Sequence, residues 1–173
     1  MNRGVKHLVQ IKEIRQLDDA DIVTLSHLLQ IVVQDGASIG FLPPLSEAVA
    51  MKYWQQVLEP SNTLWMAMID DQVVGTVQLI RCQKENGIHR AEIAKLMVHP
   101  NIRRKGIARR LMEVVEMRAR AENLKLLVLD TRAGDPSNRL YQSLQYCEAG
   151  RIPIYARSAN GELHESIFYY KLL

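Results

Sequence analysis

The chain has 173 residues, 47% of them hydrophobic and 24% charged, with a formal net charge of +3 at pH 7. Those values fit one domain, over residues 1–173, with a single core, and exclude a disordered or collagen-like chain. No apolar run approaches the ~20 residues of a membrane span, the opening MNRGVKH lacks the apolar segment of a signal peptide, and a cytoplasmic location is expected. Cys82 and Cys147 lie far apart and are expected to be buried or semi-buried free thiols, while the dispersed His7, His27, His89, His99 and His164 suggest no metal.

In chain order, residues 8–14 read as a strand, and Asp18 or Asp19 caps a helix to about Val33 with Ile22, Leu25, Leu28, Leu29 and Val32 on its buried stripe. The loop GASIGFLPP follows, then a helix capped by Ser46 through Val57, closed off by Pro60. Strands are predicted at 63–69, 72–82 and 88–98, joined at Asp70-Asp71 and Asn86-Gly87 as an antiparallel meander. A helix from Ile107 to about Ala121, burying Ile107, Leu111, Val114 and Val115, leads to the strand 124–130 by a right-handed parallel crossover. A short helix at 136–144 and strands at 146–156 and 163–171 complete an α/β (α+β) chain with a mixed, mostly antiparallel sheet.

The most informative stretch begins where Pro100 removes a ladder donor and stops the strand. In RRKGIARR, residues 103–110, several backbone N–H groups without intrahelical partners converge at a helix start, where the dipole adds positive charge. Gly106 lets an anion approach the backbone, Ala108 keeps the next turn slim, and Arg103, Arg104, Lys105 and Arg109 supply countercharge, so a pyrophosphate is the natural guest. Gly106 is followed by Ile107 and Ala108, so the Ser/Thr that ligates Mg²⁺ in nucleotide-binding P-loops is missing. A nucleic-acid patch is the rival, but Glu113, Glu116 and Glu122 follow on the same helix and no aromatic residues are interleaved for stacking.

The spacing Arg103-x-x-Gly106-x-Ala108 after a strand ending LMV resembles the acetyl-CoA-binding motif of the GNAT N-acetyltransferase superfamily, Arg/Gln-x-x-Gly-x-Gly/Ala, and the element order resembles the GNAT fold over nearly the whole chain. That resemblance implies an acetyl-CoA-dependent enzyme without a metal, about seven strands and about four helices, and a splay between strands 91–98 and 125–130. The pantetheine amides would pair with the backbone of Leu96, Met97 and Val98, and the pyrophosphate would sit on Arg103, Arg104, Lys105, Gly106, Ile107, Ala108 and Arg109. Glu92, six residues before Val98, matches the general-base glutamate of the histone-acetyltransferase branch. Tyr141, in NRLYQSLQY, takes the place of the general-acid tyrosine of Leu-Tyr-x-x-Leu-Gly-Phe, and a backbone N–H near Met97 or Val98 would serve the oxyanion. Two positions depart from the family: Gly134 stands where an Asn usually holds the pantetheine, with Asn138 out of register, and Gln145-Tyr146 replaces Gly-Phe.

Asp130 closes an apolar strand and projects near the same cleft, either to hold a cationic substrate or to cap the next turn. The segments 36–41, 64–65, 82–100 and 129–134 are similar to the tabtoxin-resistance type of acetyltransferase, which implies a small, amino-acid-like amine acceptor. By that resemblance loop 36–41 borders the acceptor, making Ser38 and Phe41 substrate-binding candidates beside Glu92 and Asp130. Two alternatives stand: protein acetylation, against which the bulky Phe41, Tyr53, Trp54 and Trp65 argue, and a non-catalytic acyl-CoA sensor, against which Glu92 and Tyr141 together argue. Neither nucleic acid nor membrane is expected as a partner, and a homodimer is left open.

Overall fold

A computed structural model describes residues 8–173. The strands are β1 Gln10–Ile14, β2 Asn62–Ile69, β3 Gln72–Arg81, β4 Arg90–Val98, β5 Leu126–Arg132, β6 Cys147–Arg157 and β7 Leu163–Leu172. They form one sheet ordered β1-β2-β3-β4-β5-β7-β6, antiparallel throughout except for the parallel pair β4–β5. The helices are α1 Asp19–Gln34, α2 Glu47–Gln55, α3 Ile107–Ala121 and α4 Ser137–Ser143. The GNAT architecture expected from the element order is present.

Local chemistry sets the element ends. Asp18 accepts the Asp21 N–H at 2.8 Å while Asp21 takes the Asp18 N–H, a reciprocal capping box that starts α1. Ser46 accepts the Val49 N–H at 3.3 Å and starts α2. Asp70 and Asp71 both take positive φ, as the two-residue hairpin between β2 and β3 requires. The expected Asn86-Gly87 hairpin turn is corrected: both residues belong to a single 3-10 turn, Glu85–Gly87, inside a longer link. Gly87 lies so close to Cys82 that a Cβ there would come within 2.5 Å of its sulfur. Asn-Gly signals a two-residue turn in isolation, and the link found here is longer and holds a 3-10 turn. Cys82 is half-buried as expected of a free thiol, whereas Cys147, expected to be buried, is exposed at the start of β6.

Alternation along the strands divides the core between two faces. Leu64 and Met66 of β2 pack with Leu25, Leu29 and Trp54 of α1 and α2, whereas Trp65 and Ala67 pack with Leu111 and Val115 of α3 on the other face. The predicted α1 stripe is buried as expected. On α3 the expectation needs adjustment, since Met112 and Ala119 are buried and Val114 only partly so. Glu116, one of the three acidic residues noted on this helix, is buried and ion-paired to Lys171 at 2.7 Å.

Two irregularities of β4 matter most. Its pairing with β5 is confined to Arg90↔Leu126, Ala91↔Leu127 and Glu92↔Val128, after which the strands part, as the resemblance implied. Its register with β3 slips between Thr76↔Met97 and Gln78↔Ala94, so Lys95 and Leu96 together oppose the single residue Val77. At this bulge Lys95 has φ 49°, and the wholly buried Thr76 donates its hydroxyl to the Lys95 carbonyl at 2.9 Å. Before the bulge Ala91 and Ile93 face α3; beyond it Met97 faces α1 and α2.

Candidate active site

The gap between β4 and β5 is bordered by three charged side chains. Glu92 is the last β4 residue to pair with β5 and points opposite to Ala91 and Ile93, toward the α1/α2 face. Asp130 lies two residues beyond Val128 on β5 and shares its face. The bulge brings in Lys95, which regular alternation would have sent to the opposite side from Glu92. Its ammonium sits 5.6 Å from the centroid of Phe41 in loop 36–41 and 5.5 Å from that of Tyr53 on α2.

Each of the three titrates away from its ordinary range. Burial raises the Glu92 carboxyl, the neighbouring Asp130 charge raises it further, and Lys95 opposes both. Burial also raises Asp130, against the Ser166 hydroxyl and Lys95, which favour its ionised form. The Lys95 ammonium is lowered by burial and held up by the two carboxylates. Two carboxylates that hold protons above the usual range beside a partly desolvated cation form a site suited to proton exchange with an amine.

Tyr141 stands on the other face. Its ring, 6% exposed, packs in the α3-side core, 6.1 Å from the Tyr146 centroid and 5.8 Å from that of Tyr169. Burial first, and then the charges of Asp130 and Asp135, push its phenol well above the ordinary value, so it keeps its proton across the working pH range. Asn138, out of register in the sequence, donates to the carbonyls of Arg132 and Asp135 at 2.9 Å each and accepts the Tyr169 hydroxyl at 3.0 Å. It is therefore a staple of the β5–α4 turn. Gln145 takes φ 65° where the family places glycine, and the Tyr146 ring is buried.

The turn 103–110, read from the sequence as an anion cradle, opens α3 with two left-handed residues. Gly106 is the N-cap residue with φ 78°, Arg104 is also left-handed at φ 66°, and a Cβ at Gly106 would meet nothing within 4 Å. Its side chains divide in a way the sequence did not disclose. Arg103 pairs with Asp35 at 2.6 Å and donates to the Val98 carbonyl, Arg109 donates to Ser143 at 2.7 Å, and Ile107 is buried in the core. Arg104 and Lys105 are exposed beside the free backbone. Met97 is buried against α1 and α2, and Leu96 and Val98 pack against the α3-side core, so these three offer a ligand chiefly their main chain.

On the acceptor side the structure gathers Phe41, Tyr53 and Lys95. Phe41 meets Tyr53 edge to face at 5.4 Å, and the Tyr53 hydroxyl, pushed up to about 12 by burial, accepts from the buried Gln78 at 2.8 Å. Ser38 lines a recess with Arg132 and Ser158 near the β6–β7 turn, and Glu92 is not among the residues of that lining. Lys95 and Ser166 were not anticipated. Among the described residues no cluster of His, Cys, Asp or Glu could hold a metal, and no helix is long and apolar enough to cross a membrane.

A mixed sheet that opens beyond its single parallel pair, with a glycine-capped cationic helix start after β4, is the frame of an acyltransferase fold. The chain belongs to the acetyltransferase (GNAT) family, whose profile matches residues 27–146. An uncharacterised N-acetyltransferase from the hisH-hisA intergenic region of Azospirillum brasilense is 31% identical over 127 residues, covering 72% of this chain and 76% of that protein. Two solved structures share the fold. The Salmonella typhimurium yncA structure with its cofactor acetyl-CoA has a TM-score of 0.79 at 17% identity, covering 95% of this chain and 94% of that one. A ribosomal-protein-alanine N-acetyltransferase from Brucella melitensis has a TM-score of 0.78 at 20% identity, covering 95% and 99%.

Proposed function

We propose that the enzyme acetylates the amine of a small, amino-acid-like acceptor, with acetyl-CoA as donor, by direct attack of the amine on the thioester. The observation that carries this reading is the juxtaposition of Glu92 and Asp130 on one face of the gap, at the point where β4 stops pairing with β5. The restriction to small acceptors draws on the similarity of segments 36–41, 82–100 and 129–134 to the tabtoxin-resistance type and on the aromatic wall of Phe41 and Tyr53.

The main chain of Leu96, Met97 and Val98 pairs with the pantetheine amides. The N–H groups at Gly106, Ile107 and Ala108, with Arg104 and Lys105, hold the pyrophosphate, while Arg103 and Arg109 brace the loop through Asp35 and Ser143. Glu92 accepts the amine proton, directly or through a water, and Asp130 holds the cationic acceptor before transfer. As the C–N bond forms and the C–S bond breaks, an N–H of Met97 or Val98 faces the oxyanion and Tyr141 returns a proton to the departing sulfur. Base and acid thus approach the gap from opposite faces of the sheet.

Thiol release from acetyl-CoA, followed with a panel of amino acids, simple amines and lysine- or alanine-ended peptides, tests the proposal. Turnover with the small amines is expected; turnover with peptides alone would assign the enzyme to protein acetylation. The cradle is tested separately through Gly106→Asp, which adds a charge beside the phosphate path and a side chain at φ 78°. Losing charge-assisted bonds worth ~1.5–3 kcal/mol should weaken acetyl-CoA by an order of magnitude or more. Calorimetry finding undiminished affinity in a folded variant would remove the cradle from the site.

A further inference from the structure

We infer that Lys95 is the residue that selects the acceptor, by pairing with a carboxylate carried on the same small molecule whose amine meets Glu92 and Asp130. The inference deepens the reading of the site as a small-amine site and rests on it. Three observations carry it.

The first is the position of the ammonium. Lys95 is half-buried on the acceptor side, and among the described residues its ammonium has no hydrogen bond and no ion pair, only the rings of Phe41 and Tyr53. Lysine ordinarily extends its charge into water along an apolar stem. The carboxylates of Glu92 and Asp130 favour its charge without pairing to it, so its N–H donors stay open to a bound anion.

The second is how firmly it is held there. The bulge that turns Lys95 to this face requires a left-handed lysine, φ 49°, and is fastened by the buried Thr76 hydroxyl on its carbonyl. Tyr53 is fixed in turn by Gln78, 1% exposed, which also accepts from Asn62 at 3.2 Å. A Cβ at Gly40 would lie 3.6 Å from the Lys95 nitrogen, so loop 36–41 closes over the ammonium on a third side. Backbone in a sparsely populated region persists where the surroundings over-determine it, and such residues cluster at ligand sites.

The third is the distribution of charge. Glu92 and Asp130 attract an ammonium, whereas Lys95 on the same face repels one, so a purely cationic acceptor meets a mismatch. An acceptor with an amine and a nearby carboxylate satisfies both walls. The same lysine then disfavours polyamines and lysine side chains, a repulsive element that contributes to specificity.

The test compares matched acceptors, an amino acid and its methyl ester, in the wild type and in Lys95→Met, which keeps an unbranched stem against the two rings. The wild type should favour the free acid, and Lys95→Met should reduce the ratio of kcat/KM, acid over ester, by roughly tenfold to a hundredfold, chiefly through KM for the acid. Lys95→Arg should restore part of the ratio. A lysine that merely supports the fold or tunes Glu92 would lower both activities together and leave the ratio unchanged, and that result overturns the inference. An assay free of variants reads the same property: the deaminated acid should inhibit the wild type at least tenfold better than its methyl ester, and equal inhibition also overturns it. If the wild type uses peptides and no small amine, the underlying function is wrong and the role of Lys95 falls with it; small-amine turnover without acid preference removes only Lys95.

Discussion

Glu92→Gln should lose most turnover at neutral pH, on the order of 10²–10⁴-fold, while still binding acetyl-CoA. An aliphatic amine is largely protonated at pH 7, and glutamine cannot take its proton. In the wild type, kcat/KM should rise as Glu92 ionises, in a limb above the ordinary carboxylate value of 4.5, because burial and the Asp130 charge both hold the proton on. The variant should lack that limb, and its deficit should shrink at high pH, where the amine is already neutral. A deficit of the same size at every pH would make Glu92 a residue that positions the acceptor.

Stability offers an independent reading of the same carboxylate. Glu92 binds its proton more tightly folded than unfolded, so its stabilising contribution is complete below its unfolded pKa and is lost as pH rises through the folded one. Above that window the carboxylate is ionised in both states; it is solvent-exposed, so water and Lys95 screen most of the cost of its charge. Glu92→Gln should therefore melt at or above the wild type at neutral pH, and the difference should vanish in acid. A residue whose removal abolishes turnover without loss of Tm is held for chemistry.

Tyr141→Phe should lower kcat by about 10²-fold while leaving acetyl-CoA affinity in place. The ring that packs on Tyr146 and Tyr169 is retained, so Tm should change little. A thioester with a more acidic leaving thiol needs protonation less and should recover part of the loss. Because burial and the nearby carboxylates raise the phenol, no limb of the wild-type profile near neutrality belongs to it. Full kcat in Tyr141→Phe, with chemistry shown to limit the rate, would return Tyr141 to the core and to packing alone.

The sequence disclosed the parts of this site that depend on local pattern. Apolar residues at period 3.6 announced α1 and α3, Asp130 was read from the end of an apolar strand and the Gly106 turn from a helix start, while Glu92 was singled out only through its spacing to Val98 in the family resemblance. Lys95 was not. Glu92 and Lys95 are three residues apart, and a regular strand puts such residues on opposite faces; only the slip against Val77 brings them together. The pairing of Arg103 with Asp35 joins positions too distant for spacing to reveal. The close approach of Gly87 to Cys82 within the β3–β4 link is likewise a contact that the Asn-Gly dipeptide alone does not show. Asn138 was legible as a departure from the family, and its role as a staple emerged only from the carbonyls around it.

The brief pairing of β4 with β5 leaves a seam. Three residue pairs join the block β1–β4 to the block β5–β7, and beyond Glu92 the facing backbone groups have no partner strand across the gap. An extended amide arm laid there would act as a guest strand and close the seam. Ligand that binds only the folded protein adds about 2.7 kcal/mol of stability at a hundred times its Kd. The supply of acetyl-CoA would then influence how long each copy of the enzyme survives unfolding and proteolysis, besides setting how fast it works.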